Sequence, residues 1–388
     1  MVWPGAASVV VSIVHAARGN PVGYANVVLD GQSVTVINSR LLPKPERPDP
    51  CVLLSNGGMC YMGVTVLGDG FRLSEEEREN AIGSDPSAEP RIWMYVGGEH
   101  LNTAPNQESQ EWVINLTGYD EVQARKYAGL FRRLSTTVKI QRSGTQYDNI
   151  PFWEYQRARG ELYAAISELS RCIVTAQTAK YPLFSFQPPG RVFTAKVFVF
   201  PIECHSGLAV LQSRVHRPWA WLMGSTMKED LSYTALTCFQ TFPFPKPDPR
   251  TVIPELEAAG QAFYEARARF MVETDQGLTK TYNALKDPNN HESEVAELRR
   301  LTEAMDRAVL DAYGWTDLEV PPYCPTTPAE RAAHKAFEDE VIDRLYVLNA
   351  ERAREEERLG LGKKKKPAKK SAGKKAKSDD DGGQTSLL

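Results

Sequence analysis

Apolar and polar positions change rhythm near Pro249. Beyond it the spacing predicts helices. Pro254 to Glu273 is one candidate and Glu292 to Tyr313 another. In the second, Val295, Leu298, Leu301, Met305, Ala308 and Tyr313 form an apolar stripe, with Gly314 as a C-terminal stop. Thr327-Pro328-Ala329-Glu330 is a capping box with proline at the first helical position. The helix it opens runs towards Glu357 and carries Val341, Leu345 and Leu348 on one face.

Before Pro249 the texture is mixed. Ala7 to Val14 is a β-branched run. Ala25 to Leu29 and Ser33 to Ile37 flank Asp30-Gly31, a two-residue hairpin signal. Leu42 to Pro50 is proline-rich and marks a boundary or an exposed loop. Ser74 with Glu77 predicts a capped helix start. Asp120 to Leu134 and Phe152 to Arg171 read as helices, and Arg191 to Pro201 as one strand. The fold class expected is α+β: a mixed region over 41–250, a helical region over 251–360, and a charged, low-complexity, disordered tail over 361–388.

With 388 residues and 42% hydrophobic content, the chain can build two or three domains. It has no uncharged apolar run of roughly 18 residues, so no membrane span is expected. No basic region precedes the first apolar stretch, so no signal peptide is expected either. Six cysteines lie far apart without a C-x-x-C pair, which argues against zinc and disulfides and fits a reducing cytoplasm.

Charge is unevenly distributed. The formal total is -3, but residues 125–217 hold fourteen Lys/Arg against five Asp/Glu. A basic block in an acidic protein is the footprint expected of a DNA-facing surface, because attraction follows the local field. Aromatics interleave with it: Tyr127, Phe131, Tyr147, Trp153, Tyr155 and Tyr163. Such a mixture suits phosphate neutralisation with stacking, and a solvated basic face is the plain alternative.

The stretch from Phe198 to Pro245 is the most informative. An apolar, helix-like framework (Leu208, Ala209, Leu211, Val215, Trp219, Leu222) is studded with Gln212, Ser213, Arg214, His216 and Arg217. Then come Lys228-Glu229-Asp230, Ser232-Tyr233-Thr234 and an aromatic-proline end. Lysine suits guanine and a carboxylate suits cytosine at base edges; the alternative is a solvated charged turn. The candidate DNA-binding residues are Asn102, Arg132, Lys139, Arg142, Lys180, Arg191, Arg214, His216, Lys228, Glu229, Asp230 and Tyr233. No catalytic or metal-ligating constellation stands out.

Several blocks in order resemble the MmeI-like restriction–modification proteins and related phage-defence adenine methyltransferases. Trp3 to Ala7 with Val11 to Val14 resembles a late strand of their methyltransferase domain. Glu99 to Asn102 with Trp112 to Asn115, and Leu208 to Ser213 with His216, Trp219, Tyr233 and the Phe239 to Pro245 end, resemble their recognition domain. Gly277 to Asn283, Met305-Asp306, Ala308 to Trp315 and Asp343 to Arg352 resemble their helical C-terminus.

The resemblance implies that residues 1–40 are terminal strands of a methyltransferase sheet and that 41–250 is the target-recognition domain. It implies adenine-N6 methylation with S-adenosylmethionine, yet this chain has neither the glycine-rich cofactor loop nor the Asn-Pro-Pro-aromatic motif. The expectation is a DNA-binding specificity portion that binds no cofactor alone. Its partners would be duplex DNA and a separate catalytic subunit or missing N-terminal half. A non-enzymatic adaptor of a defence island is the alternative.

Overall fold

A computed structural model describes residues 27–38, 41 and 43–361. The expected strand over 7–14 and the tail from 362 lie outside the described residues. Val27–Leu29 and Gln32–Val34 pair antiparallel. Asp30 and Gly31 both take positive φ, 50° and 81°, as the tight hairpin at Asp-Gly requires.

Two four-stranded sheets form the centre of the mixed region before Pro249. The first is mixed, in the order Arg191–Phe193, Ile92–Val96, Trp112–Ile114, Arg72–Leu73. The second is antiparallel, in the order Tyr61–Met62, Val197–Phe200, Cys172–Ala176, Phe184–Gln187. Three strands of this second sheet are buried at every residue. Both of their faces are therefore covered, and the polar Thr175, Ser185 and Gln187 are buried along with the apolar positions.

The expected single strand over 191–201 divides between the two sheets. Its break falls at Thr194, whose carbonyl accepts from the Val197 amide at 2.9 Å and whose hydroxyl accepts from the Lys196 amide at 3.2 Å. A local turn thereby wins over the alternating pattern and ties the sheets together.

Two expected helices are shorter than their patterns. Residues 120–134 give Glu121–Arg125 and Ala128–Thr136, separated at Tyr127, which has non-helical backbone and stacks on Tyr119. Only Gly160–Ile166 of the 152–171 pattern is helical. Before it, Trp153 donates to the Tyr119 carbonyl at 2.9 Å and Tyr155 to the Ile114 carbonyl at 2.9 Å. Those tertiary bonds, with the rings packed into the core around Phe71 and Val113, hold 152–159 out of helix.

The helical region follows its sequence signals closely. Pro254–Glu273, Leu278–Lys286, Ser293–Tyr313 and Pro328–Arg358 are the helices. Gly314 ends the third with φ 76°, and Thr327 and Glu330 close the capping box of the fourth. Pro254–Glu273 crosses His205–Gln212 closely. A Cβ on Gly260 would stand 2.7 Å from the His205 carbonyl oxygen, so the crossing needs glycine.

One hydrophobic cluster runs from Phe184, Phe200 and Trp219 of the mixed region to Phe263, Met305 and Leu345 of the helices. The change of texture at Pro249 is therefore a change of element type within a shared core. Among the described residues, no helix is long and apolar enough to cross a membrane.

Candidate nucleic-acid interface

A third sheet carries the charged triplet. Ser225–Met227 pairs antiparallel with Asp230–Ser232, which pairs with Thr178–Ala179. Met227 faces Asp230 across the pair, so Lys228 and Glu229 form a two-residue tip. Lys228 has φ 58°, a conformation uncommon for a residue with a side chain. The tip is fixed from below. Leu231 is buried in the main core, while Ser225, Thr226, Met227, Lys228 and Glu229 are exposed. Gly224 joins the hairpin to the preceding helix His216–Met223. A Cβ there would lie 2.7 Å from both the Ala220 oxygen and Leu231 Cδ1. The strand can enter this close only with glycine.

Lys180 follows the third strand of this sheet and is exposed. Its Nζ donates to Asn283 Oδ1 at 2.8 Å and lies 5.2 Å from the centre of the Tyr181 ring. Lys286 Nζ lies 4.1 Å from the same centre. The fold thus gathers Lys180, Lys286 and the hairpin from three distant parts of the sequence. Sequence reasoning missed Lys286. Nothing local marks it, since it ends an ordinary amphipathic helix and only tertiary packing brings it to Lys180.

Four candidates belong to the interior, and their assignment to a DNA-facing surface is corrected. Arg142 is 3% exposed, and its guanidinium donates to the carbonyls of Leu67, Pro151 and Glu154. Arg214 is 2% exposed, with Nε 2.6 Å from Asp306 Oδ2. His216 and Tyr233 are fully buried partners. His216 Nδ1 lies 2.9 Å from the Leu211 oxygen and Nε2 lies 3.2 Å from the Tyr233 hydroxyl. With Nδ1 carrying the proton, both bonds are satisfied by neutral imidazole. Burial pushes the His216 pKa down to about 4, consistent with that form.

The remaining candidates are spread out. Arg191 is committed to Gln187 and to Glu108, the latter at 3.2 Å. Asn102 is half-buried on the short helix Gly98–Thr103. Arg132 and Lys139 are exposed on Ala128–Thr136 and Val138–Arg142, elements that pack on the first sheet's core rather than on the hairpin. The local excess of positive charge is smaller than the count suggests. Arg125 pairs with Glu121, Arg133 with Glu77 and Arg159 with Glu161.

The glycine-rich turns Asn56-Gly57-Gly58 and Gly68-Asp69-Gly70 are filled by the protein itself. Asn56 is buried and donates to the carbonyls of Phe239 and Phe242. A Cβ on Gly70 would meet Thr137 Oγ1 at 1.8 Å. Neither turn leaves a cradle for a nucleotide-like cofactor, so no step through S-adenosylmethionine is derived from these residues.

Comparison with known proteins gives a family for this region and a fold for most of the chain. Residues 55–246 match the family described as "MmeI, target recognition domain". They are an MmeI-type target recognition domain. The fold of the chain also matches the solved structure of the Type IIL restriction–modification enzyme MmeI in complex with DNA, with a TM-score of 0.58 at 17% identity. That match covers 83% of this chain and 39% of the MmeI chain, so this chain spans well under half of that relative. No curated protein sequence matches it.

Proposed function

We propose that this chain binds duplex DNA and reads a short sequence through the hairpin tip Lys228-Glu229 and the adjoining Asp230. It serves as the specificity portion of a site-specific adenine-N6 methyltransferase of a restriction–modification or phage-defence system. The observation that carries the reading is the hairpin itself, within a region matching a target recognition domain. Lys228 and Glu229 are exposed, and their side chains make no hydrogen bond or ion pair among the described residues. Below them, Leu231 and Gly224 anchor the backbone in a packed core. A rigid base with free donors and acceptors at its tip is what base-edge readout needs.

Methyl transfer, with S-adenosylmethionine as donor, would be supplied by a separate subunit or by sequence belonging to the same enzyme. A DNA-binding adaptor without a methyltransferase partner is the competing reading.

Two measurements test the proposal. The purified chain should select a defined duplex from a random pool, with binding that weakens steeply as salt rises. Labelled S-adenosylmethionine should methylate that duplex only when the product of the neighbouring catalytic gene is added. Methylation by the chain alone would contradict the division of labour. Sequence-blind binding would contradict the reading role.

A further inference from the structure

We propose that the cavity between the recognition domain and the helical region is a site for one phosphate group, held by the half-buried Lys286 and Arg217 and backed by Arg214, which stays in the interior and off the DNA-facing surface. Tyr181, Gln212 and Tyr323 are among its other lining residues. The cavity is too small for a nucleobase, and a backbone phosphate of bound DNA is the source that the proposed function favours. Only that source, and not the site, rests on the DNA-reading proposal.

The first observation is an unmet donor. Arg214 uses Nε on Asp306 and Nη1 on the carbonyls of Pro321 and Pro322. Its Nη2 is buried and has no hydrogen-bond partner. A buried guanidinium nitrogen without an acceptor is costly unless something arrives to accept from it.

The second observation is an excess of cations over carboxylates. Arg217 and Lys286 are half-buried, and neither side chain makes a hydrogen bond or ion pair among the described residues. Lys286 is held only against the Tyr181 ring. Burial first, and Arg217 second, hold its ammonium down to about 7. Asp306 is taken by Arg214 and Glu303 accepts from the Tyr323 amide at 2.6 Å, while Glu338, 3.7 Å from His334, acts on Lys286 and offsets part of the positive charge. Two guanidinium groups and an ammonium suit a tetrahedral oxyanion, which accepts from several donors at once.

The third observation is position. Tyr181 lies two residues beyond Thr178–Ala179, the strand beside Asp230–Ser232 of the reading hairpin. Lys180 stands over the same ring. A phosphate bound here would sit beside the base-reading element, where it could fix register without carrying sequence information.

The test uses the full chain. Sodium phosphate is titrated against sodium chloride at matched ionic strength, and the melting temperature is read. A phosphate-specific rise is expected in the wild type, and its loss in Lys286→Met and in Arg217→Gln. Absence of that rise in the wild type overturns the site, whatever the variants do. In the DNA arm, Lys286→Met should lower the slope of log affinity against log salt by about one at unchanged base preference. A phosphate effect with an unchanged slope would keep the site and overturn DNA as its source, pointing to a small phosphate compound. Failure of the wild type to bind DNA would sink the proposed function, while the phosphate titration would still decide the site.

Discussion

Residues 205–217 and 225–232 come from one stretch of chain and carry similar residue types, yet they use them in opposite ways. In the first, every polar tip but one meets a partner inside the protein. Gln212 accepts from the Phe184 amide at 2.9 Å, Arg214 grips Asp306, and His216 bridges Leu211 and Tyr233. Arg217, at its end, is left over. In the second, Leu231 alone goes inward and the charged side chains of the tip face solvent. A polar side chain with fixed internal partners sets geometry. One left free on a fixed backbone is available to a ligand. Stability and recognition should therefore separate cleanly when the two segments are changed in turn.

The largest effect should come from Asp306. Asp306→Ala strands the buried Arg214, and loss of one partner of a buried pair costs about 3–5 kcal/mol. Urea unfolding checks this; a midpoint near that of the wild type would show that the pair is not what joins the two regions.

His216 gives the next effect. Its folded pKa of about 4 lies below the ordinary value of about 6.5, so the unfolded chain takes up a proton first as pH falls. This contribution is fully present above about pH 6.5 and is lost progressively down to about pH 4, by about 3 kcal/mol. Unfolding measured across that window should show the slope, and His216→Gln should flatten it. A His216→Gln profile as steep as the wild type would assign the slope to other groups.

The smallest effect is on the exposed helices. Arg132→Ala or Lys139→Ala should leave stability within about 0.5 kcal/mol and base preference unchanged, while lowering the salt slope by about one. A change in preference at one base pair would place these residues in a groove instead.

Much of the fold is legible in the sequence where local chemistry decides it. The Asp30-Gly31 turn, the Ser74 and Thr327 caps, the Gly314 stop and the Pro254 helix all appear where their residues predict. The pattern misleads where tertiary bonds override it. The hydroxyl of Tyr155 and the indole of Trp153 reach carbonyls on other segments, and Thr194 turns a promising strand aside.

The site divides in the same manner. Lys228, Glu229 and Asp230 could be singled out as a charged stretch, but the hairpin that carries them shows only in the pairing of Ser225–Met227 with Asp230–Ser232. Arg142, Arg214, His216 and Tyr233 were misread, since residue type does not disclose whether a partner such as Asp306 waits in the fold. Lys286 was invisible for the converse reason, as its neighbours Lys180 and Arg217 come from elsewhere in the chain.

The central claim is best tested by measuring binding to a set of duplexes in which each base pair of the selected site is varied in turn. Wild type is compared with Lys228→Ala and Asp230→Ala. The account predicts altered preference at one base pair, by about 1–3 kcal/mol, with urea stability and non-specific affinity unchanged. A uniform loss across all sequences would contradict it and return the hairpin to a simple electrostatic contact.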